Sequence, residues 1–599
     1  MKRNRGLAAW LIALGLAYAV VALSHVSLAY LDFGDGNYLY ISSRIADGLL
    51  LYRDILAPQP PLHLLLGSLV LRFARLFSAE PIIGIYFIRT TSVIIHLYMM
   101  TLLAMIALRL FRSRLIAALA ALYYLLIPIG FWWNFCYESE SLMLAFLLSG
   151  FYAMIVGSRK TMIAAGALHL GAVLTNMTAA PYICWVGLML LLFDRRLLLA
   201  YALPCGLGWL AIVGLFYACG SDYLGNVFFN QVGTFPNKIL YPAGLPHYIT
   251  YKLIREGYKI FSYDFYYLVW GVLGLILYLR YGESFWKGDM TQPPSAVQPL
   301  PEIACADEPL PMRRRWLLGT FIFWSYMSIG FVSKGATMDY IFTIGEPLLC
   351  VMAAAATAWA YERLRGISAL PARGRCLAGG LAALWLVTLG LQIFGLQFIS
   401  RAILIPRSFY SGQLKTLSLL KDANVVVPHP DKPEYYLALP AFGGQRLPVR
   451  FLADLRTQSP KGQQQAELSA DKVREIVDLV QANSQPGEFI VGPPHLAFVS
   501  QRPLYEEYSE HFIWRIKYWN EKKVTGQDAD GVAKAESIGA ALLEQRLPVT
   551  LINTQLTQVP PINAAVQERY KEIYRVQMLN TPLWVYVPKR ESETKENGR

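Results

Sequence analysis

Residues 82–108 read IIGIYFIRTTSVIIHLYMMTLLAMIAL, and Arg89 is the single charged side chain in this run. A helix needs about 20 apolar residues to cross a bilayer, because each residue adds about 1.5 Å and the hydrocarbon core is about 30 Å thick. The run is long enough for this, so it predicts a helix that crosses a membrane.

Ten further apolar runs flank this one, so eleven membrane spans are predicted. They lie at 7–29, 115–130, 141–157, 161–177, 179–193, 197–219, 264–281, 316–333, 340–361 and 377–399. Charged residues are about twice as dense in residues 401–599 as in residues 1–400. Soluble domains carry about 25% charged residues, a density that only the second part reaches. We therefore expect a polytopic helical membrane domain over 1–400 and a soluble domain over 401–599.

The basic residues of the membrane part predict its orientation. With the N-terminus in the cytoplasm, the inner loops hold 19 basic and 7 acidic residues, whereas the outer segments hold 10 basic and 12 acidic residues. This asymmetry is what the positive-inside rule describes, and eleven spans then place residues 401–599 on the outer side. A cleaved signal peptide over 1–30 is the alternative to a first span. We favour the span, because a functional loop begins directly after it.

The net charge of +13 is thus mainly a topology signal. There is no long basic tract and no zinc-finger spacing, so we expect no nucleic-acid partner. Residues 401–599 contain no cysteine and no nucleotide-binding fingerprint, and they alternate helix and strand patterns. Helices are predicted at 470–482 and near 563–574, and strands at 488–491, 547–552 and 583–587. The expected fold of this part is an extracytoplasmic α/β domain.

The first outer loop, residues 30–81, carries several polar motifs. It contains LDFGDGNY at 31–38, IADG at 45–48, YRDI at 52–55 and PQPPL at 58–62. An amphipathic stretch at 63–77 follows, with Arg72 and Arg75. Because two arginines are costly in hydrocarbon, we expect this stretch to lie in the membrane interface rather than to cross.

This loop resembles the first outer loop of the GT-C glycosyltransferases. An Asp after the first span, a Tyr, A-x-G, Y-R-D and a Pro pair are similar to the bacterial dolichyl-phosphate-mannose-protein mannosyltransferase-like group, which is related to the aminoarabinose–lipid A transferases. Later points of resemblance are Arg89, Glu138-Ser-Glu140, Asp339-Tyr340 and Pro347. The resemblance implies an inverting, multi-pass enzyme of the bacterial inner membrane. It would move a sugar from a polyprenyl-phosphate donor to a hydroxyl of a glycolipid, glycan or protein on the periplasmic face.

The resemblance also implies roles for individual residues. Asp35 is the expected general base, with Asp32 as a rival, because the attacking hydroxyl must lose a proton. The departing phosphate needs fixed cations, for which Arg53, Arg89 and Lys334 are the outer-side candidates.

Two acids in the second outer loop, Glu138 and Glu140, lie against apolar spans, where a carboxylate is costly unless it is used. We expect Glu140 to be a second catalytic residue and Glu138 to bind substrate. Further candidates for substrate binding are Tyr38, Asp54, Asp339 and Tyr340. A monophosphate leaving group can depart without a metal, so no obligatory metal and no other cofactor is expected.

Two positions depart from the relatives. Asn176 stands at the outer end of the fifth span, where relatives often have Lys, and Gly36 follows Asp35, where relatives often have Glu. One phosphate contact is then either absent or supplied by one of the loop cations Lys238, Lys252, Arg255 and Lys259.

Other interpretations stay open. The chain could be a secondary transporter or lipid flippase, or a non-catalytic protein of envelope-polysaccharide assembly. A transporter should show repeat symmetry, which the sequence lacks. Arg53 and Asp54 could form a structural ion pair, Arg89 could extend to the lipid headgroups, and His96 and His169 could form interhelical hydrogen bonds. The sugar, the acceptor and the oligomeric state are not determined by the sequence.

Overall fold

The structure is a computed structural model. It describes residues 5–25, 33–127, 136–229, 264–281, 316–324, 343–365, 372–394, 403–406, 424–428, 435–440, 470–508, 528–553, 556–577 and 582–590.

The first part of the chain is a bundle of α-helices. The helices are α1 Arg5–His25, α2 Phe33–Ala46, α3 Pro61–Arg75, α4 Pro81–Phe111, α5 Arg114–Leu126, α6 Ser139–Val156, α7 Arg159–Thr175, α8 Ala180–Phe193, α9 Arg195–Ala218, α10 Phe265–Tyr281, α11 Glu346–Arg365 and α12 Ala372–Phe394. Residues 316–324 are also helical. Among the described residues, four helices (α1, α4, α6 and α9) are long and apolar enough to cross a membrane. The fold is therefore polytopic and helical, as the apolar runs predict.

Every predicted span contains helix where the structure describes it. Among the described helix ends, the largest difference from a predicted end is at the span predicted for 340–361, where α11 begins only at Glu346. Pro347 follows in the first turn, a position where proline is tolerated because its missing N–H would have no partner within the helix. The number of helices that cross the membrane stays a prediction.

Two helices, α2 and α3, lie between α1 and α4 and pack closely on each other. Gly67 of α3 permits this approach, because a Cβ there would lie 2.9 Å from Cβ of Ser42 and 3.1 Å from Oη of Tyr137. The helix α3 is amphipathic: Leu64 is buried, whereas Leu69 is 62% exposed. That this amphipathic helix lies in the membrane interface stays a prediction.

The second part of the chain combines strands and helices. The strands are β1 Ile403–Pro406, β2 Asn424–Pro428, β3 Tyr435–Pro440, β4 Thr550–Asn553, β5 Tyr570–Gln577 and β6 Pro582–Pro588, and the helices are α13 Ala470–Ala482, α14 Pro494–Ser500, α15 Asp528–Leu543 and α16 Pro560–Arg569. They form two three-stranded sheets with the orders β1-β3-β2 and β4-β6-β5.

The ladders of the two described sheets are all antiparallel, whereas Val491 forms a parallel bridge with Thr550 of β4, so the α/β class of this part stays a prediction. Only the short segment 578–581 connects β5 to β6, which leaves no room for the helical crossover that parallel strands need. The predicted helix near 563–574 ends at Arg569, and residues 570–577 form β5 instead. The predicted strand at 488–491 forms only isolated bridges, from Ile490 and Val491.

The two parts are in contact, since α14 packs against α2 and against the start of α4. Phe498 of α14 lies 3.7 Å from the position that a Cβ of Gly84 would take. The short helix α2 is therefore covered by the bundle on one side and by the C-terminal part on the other.

We predict that adding one methyl group between α2 and α3 destabilises the fold. In the Gly67→Ala variant, the Ser42 side chain must move, at a cost of about 1–3 kcal/mol that alanine's helix preference offsets by about 1 kcal/mol. The apparent melting temperature in detergent, followed by tryptophan fluorescence, should fall. The matched control is Gly187→Ala in α8, where nothing lies within 4 Å. Equal melting temperatures of the two variants would contradict the close packing.

His495 of α14 predicts a pH dependence of stability. It is 5% exposed, its ring nitrogens have no hydrogen-bond partner among the described residues, and burial lowers its pKa to about 4. Below pH about 6.5 an unfolded histidine binds a proton that the folded protein does not bind until about pH 4. The free energy of unfolding should therefore fall as the pH decreases through this window.

The His495→Phe variant should lose this dependence. We expect its melting temperature to fall less than that of the wild type between pH 7.5 and pH 5.0, in thermal unfolding at both values. An identical decrease in the two proteins would show that His495 is not the group responsible.

Candidate active site

Four segments that are distant in sequence meet at one end of the bundle. They are the first loop, the residues before α6, the turn between α7 and α8, and the segment after α9. Three contacts show this: His63 with Tyr137, Asn176 with Glu140 at the start of α6, and Tyr52 with Tyr223. The meeting place holds most of the described residues that the sequence singles out.

The helix α2 carries the predicted general base. Asp35 lies in its first turn, and only the backbone of this residue belongs to the described part of the chain. The rival, Asp32, is outside the described residues. One turn after position 35, Tyr38 is buried, and the edge of its ring points to the ring of His63 at 4.8 Å between centroids.

His63 connects α2 to the second outer loop, a position that the sequence analysis does not single out. Its ring stacks on Tyr137 at 3.9 Å, and Nε2 lies 3.3 Å from the carbonyl oxygen of Tyr137. In return, the Tyr137 hydroxyl donates to the His63 carbonyl oxygen at 2.7 Å. Burial lowers the pKa of His63 to about 3, so the ring is neutral. Its place shortly after the Pro pair is the signal that could have identified it.

The second outer loop presents its two acids beside this contact. Glu138 is buried directly next to Tyr137, and Glu140 lies in the first turn of α6. The Glu140 carboxylate accepts one hydrogen bond from Asn176 Nδ2 at 3.0 Å and another from the Ser139 hydroxyl at 3.1 Å. A helix N-terminus also favours negative charge. Glu140 is therefore held in a fixed orientation.

Asn176, where relatives often have Lys, is a structural partner of this acid. Its amide nitrogen also donates to the Ser139 hydroxyl at 3.0 Å, and its amide oxygen accepts from the backbone N–H of Thr178 at 3.0 Å. The side chain is thus fixed by three contacts and brings no positive charge. The loop cations that could replace it (Lys238, Lys252, Arg255 and Lys259) lie outside the described residues.

The predicted phosphate ligand Arg53 is paired with its neighbour. Its Nε and Nη2 donate to the two carboxylate oxygens of Asp54 at 2.8 and 3.0 Å, and this pairing lowers the pKa of Asp54. The backbone N–H of Leu50 also donates to Asp54 at 2.8 Å. The structural ion pair is therefore present, and Arg53 remains 50% exposed.

Tyr52 holds this loop in place. Its backbone has φ 66°, in the left-handed region that non-glycine residues rarely adopt. The buried side chain donates to the Gln59 carbonyl oxygen at 2.6 Å, and its ring contacts Phe216 and Tyr223 at centroid distances of 5.1 and 5.5 Å. Backbone strain of this kind persists only where the surroundings fix it.

Arg89 lies inside the bundle. Its side chain is 1% exposed, so it does not extend to the surface of α4. Two turns further along α4, His96 lies within hydrogen-bond distance of the Tyr124 and Ser141 hydroxyls, at 2.8 and 3.0 Å. His169 is similarly paired with the Tyr201 hydroxyl at 2.8 Å. Both histidines make the interhelical hydrogen bonds expected of them. Three predicted residues, Lys334, Asp339 and Tyr340, lie outside the described residues.

A cavity of about 330 Å³ lies where α2, α3 and α4 meet α14. Its polar lining comes from both parts of the chain and includes Arg44, Asp47, Arg75, Glu80, Gln501 and Arg502. Two ion pairs lie in its lining, from Asp47 to Arg44 at 2.8 Å and from Asp47 to Arg75 at 2.7 Å. Across the described ranges, no group of three His, Cys, Asp or Glu side chains is placed to hold a metal ion.

Comparison with known proteins gives matches at the level of structure. No protein-family model matches the chain, and no curated protein matches it. ArnT from Cupriavidus metallidurans bound to undecaprenyl phosphate is similar, with 14% identity and a TM-score of 0.47 over 96% of this chain and 98% of that chain. The archaeal oligosaccharyltransferase AglB from Archaeoglobus fulgidus, in complex with an inhibitory peptide and a dolichol-phosphate, has 12% identity and a TM-score of 0.44 over 96% of this chain and 74% of that chain.

ArnT and AglB are both GT-C glycosyltransferases, the class that the first loop resembles. Their TM-scores are 0.47 and 0.44, and their identities to this chain are 14% and 12%. At this level the likeness transfers no residue role, ligand or reaction to this chain.

We predict that Glu140 does not tolerate a second acid beside it. In Asn176→Asp, a carboxylate replaces the donor 3.0 Å from Glu140 Oε1, which leaves a buried charge unpaired at a cost of about 3 kcal/mol. Thermal unfolding in detergent should show a lower melting temperature than for Asn176→Ala, which only loses the donor. The double variant Asn176→Asp/Glu140→Gln should regain stability, since the donor and acceptor are exchanged. Equal stability of the two single variants would contradict this arrangement.

Proposed function

We propose that this chain is a membrane glycosyltransferase. It moves a sugar from a polyprenyl-phosphate donor to an acceptor hydroxyl, with inversion at the anomeric carbon. One observation carries the proposal: α2, which bears Asp35, packs through Tyr38 and His63 against the segment that holds Glu138 and Glu140. The candidate base and two buried acids, about a hundred residues apart in sequence, are thereby brought to one end of an apolar bundle.

In the proposed reaction, Asp35 accepts the proton of the acceptor hydroxyl while the oxygen attacks the anomeric carbon. The bond from this carbon to the phosphate oxygen breaks, and the polyprenyl phosphate departs with the electron pair. Arg89, inside the bundle, and Lys334 stabilise the charge on the departing phosphate. Arg53 is proposed to bind the phosphate through its exposed side while it remains paired with Asp54.

The other candidates bind and orient the substrates. Because both Glu140 oxygens accept hydrogen bonds, we propose that Glu140 orients a sugar or acceptor hydroxyl rather than exchanging a proton. Glu138 stands two residues before it, Tyr38 reaches the same segment through His63, and Asp339 and Tyr340 are proposed to complete the site. We propose that the acceptor's polar part enters the cavity between α2 and α14, so that the C-terminal part assists acceptor binding. The site faces the outer side of the membrane, with the N-terminus in the cytoplasm.

The decisive test is sugar transfer in proteoliposomes supplied with radiolabelled polyprenyl-phosphate sugars and candidate acceptors. Asp35→Asn should lower kcat by about 10²-fold or more, as expected when a general base is lost. The matched control is Asp194→Asn, the same chemical change between α8 and α9 at the opposite end of the bundle. Transfer should continue in EDTA, because the proposed leaving group is a monophosphate.

Equal transfer by the wild type and Asp35→Asn would exclude Asp35 as the base. Uptake of a solute into the proteoliposomes without any transfer would favour a transporter. Loss of transfer in EDTA with recovery on adding a divalent cation would overturn the metal-independent mechanism.

A further inference from the structure

The C-terminal part holds α2 through one carboxylate, that of Glu507. Its Oε2 accepts a hydrogen bond from the Tyr40 hydroxyl at 2.7 Å, and its Oε1 accepts from Arg44 Nε at 2.8 Å and pairs with Arg44 Nη2 at 2.6 Å. The Tyr40 oxygen in turn accepts from the backbone N–H of Leu504 at 2.7 Å. Two successive turns of α2 are thus bound to a single turn of the C-terminal part, residues 504–507.

The contact between Tyr40 and Glu507 is shielded from water. Tyr40 is 1% exposed and Glu507 is 9% exposed. Burial and the nearby Glu507 carboxylate raise the pKa of Tyr40 well above its ordinary value, so the phenol keeps its proton and remains a donor. A buried hydrogen-bonded pair is costly to break, because the partner left behind loses both water and its contact.

The turn that supplies Glu507 has an unusual backbone. Glu506 and Glu507 have φ 68° and 41°, two successive non-glycine residues in the left-handed region. Each uses its side chain: Glu506 accepts from the Ser537 hydroxyl at 2.6 Å and pairs with Lys534 at 3.4 Å, both on α15, whereas Glu507 binds α2. Such strain persists only where the surroundings fix it, and it occurs mostly at functional positions.

The same turn also holds the loop that follows α2. The backbone N–H of Leu56 donates to the Glu507 carbonyl oxygen at 3.3 Å, and Leu56 forms a bridge with Tyr508. Arg53 and Asp54 lie shortly before Leu56 in the chain. The contacts of this one turn therefore reach both the helix that carries Asp35 and the loop that carries a candidate phosphate ligand.

The residues of α2 that contact the C-terminal part lie on a different face of the helix from position 35. At about 100° per residue, position 38 lies about 60° from position 35, whereas positions 40 and 44 lie about 140° and 180° away. Tyr38 faces the bundle at His63, and Tyr40 and Arg44 face the C-terminal part. Positions 35 and 44 are about 14 Å apart along one helix, over which a helix moves as a rigid body. A rotation at Tyr40 and Arg44 is thus transmitted to position 35.

We propose that Glu507 is a positioning residue for the transfer reaction, because it fixes the orientation of α2 and hence of Asp35. This inference rests on the proposed function. It assigns to the C-terminal part a role in the chemical step, distinct from its proposed role in acceptor binding. Since a shift of about 1 Å in a reacting group can lower the rate about 10²-fold, loss of this support should affect kcat more than KM.

The test compares two neighbouring glutamates of the same turn in the full-length protein. Glu507→Gln should lower kcat about 10-fold or more, with KM for the polyprenyl-phosphate sugar within about twofold of the wild type. The matched control is Glu506→Gln, whose side chain contacts α15 instead of α2, and it should retain kcat. Tyr40→Phe should also lower kcat, and combining it with Glu507→Gln should add little, because both remove the same contact.

A further variant separates positioning from stability. Glu507→Gly removes the carboxylate but accepts the positive φ without strain. Its kcat should therefore fall at least as far as that of Glu507→Gln, with no larger fall in melting temperature. If kcat instead follows the melting temperature across all variants, Glu507 is merely structural and the inference is overturned. Unchanged kcat in Glu507→Gln, with transfer by the wild type, would overturn this inference alone. Absence of transfer by the wild type would overturn the proposed function and this inference together.

Discussion

The structure depends on the burial of one short helix, α2, between two parts of the molecule. From Gly36 to Ser43 every residue of this helix is buried. Five of these residues carry a polar group on the side chain: Asn37, Tyr38, Tyr40, Ser42 and Ser43. Polar groups can be buried at low cost only if they are hydrogen-bonded. Within the helix, the Ser43 hydroxyl donates to the carbonyl oxygen of Tyr40. For the Tyr40 hydroxyl, the C-terminal part supplies both partners, the Glu507 carboxylate and the Leu504 N–H. The contact between α2 and the C-terminal part thus satisfies the buried phenol of Tyr40.

The charges at this end of the bundle are arranged mostly as pairs. Arg44 is shared by Asp47 and Glu507, Arg75 binds Asp47, and Arg53 binds Asp54. Paired charges attract a free anion only weakly, because each cation is already compensated. Arg89 lies inside the bundle, and its role as a phosphate ligand stays a proposal. At position 176, where the resemblance leads to a lysine, the side-chain amide donates to Glu140.

The sequence predicted the fold well where the pattern is local. Apolar runs located the helices of the bundle, and the spacing in 470–482 gave α13 with the correct ends. It failed where the outcome depends on pairing. Residues 570–574 were read as the end of a helix, but they form the start of β5, because β6 lies beside them and completes a ladder. The segment 488–491, predicted as a strand, forms only isolated bridges. Here too the outcome depends on the neighbouring strands, which decide whether a segment forms a ladder.

By itself, the sequence determined that the chain is a polytopic helical membrane protein and that the first loop carries its polar motifs, because hydrophobicity and motif order are properties of single segments. It could also name Glu138 and Glu140, since acids beside apolar spans stand out in a linear pattern. Asp35 was named through the resemblance of the first loop to the GT-C glycosyltransferases. Only the tertiary structure decided that His63 joins these segments, that Asn176 holds Glu140, and that Glu507 holds α2. The physical reason is that each of these contacts forms between residues from 36 to 467 positions apart, and no local pattern records which distant group satisfies a buried polar atom.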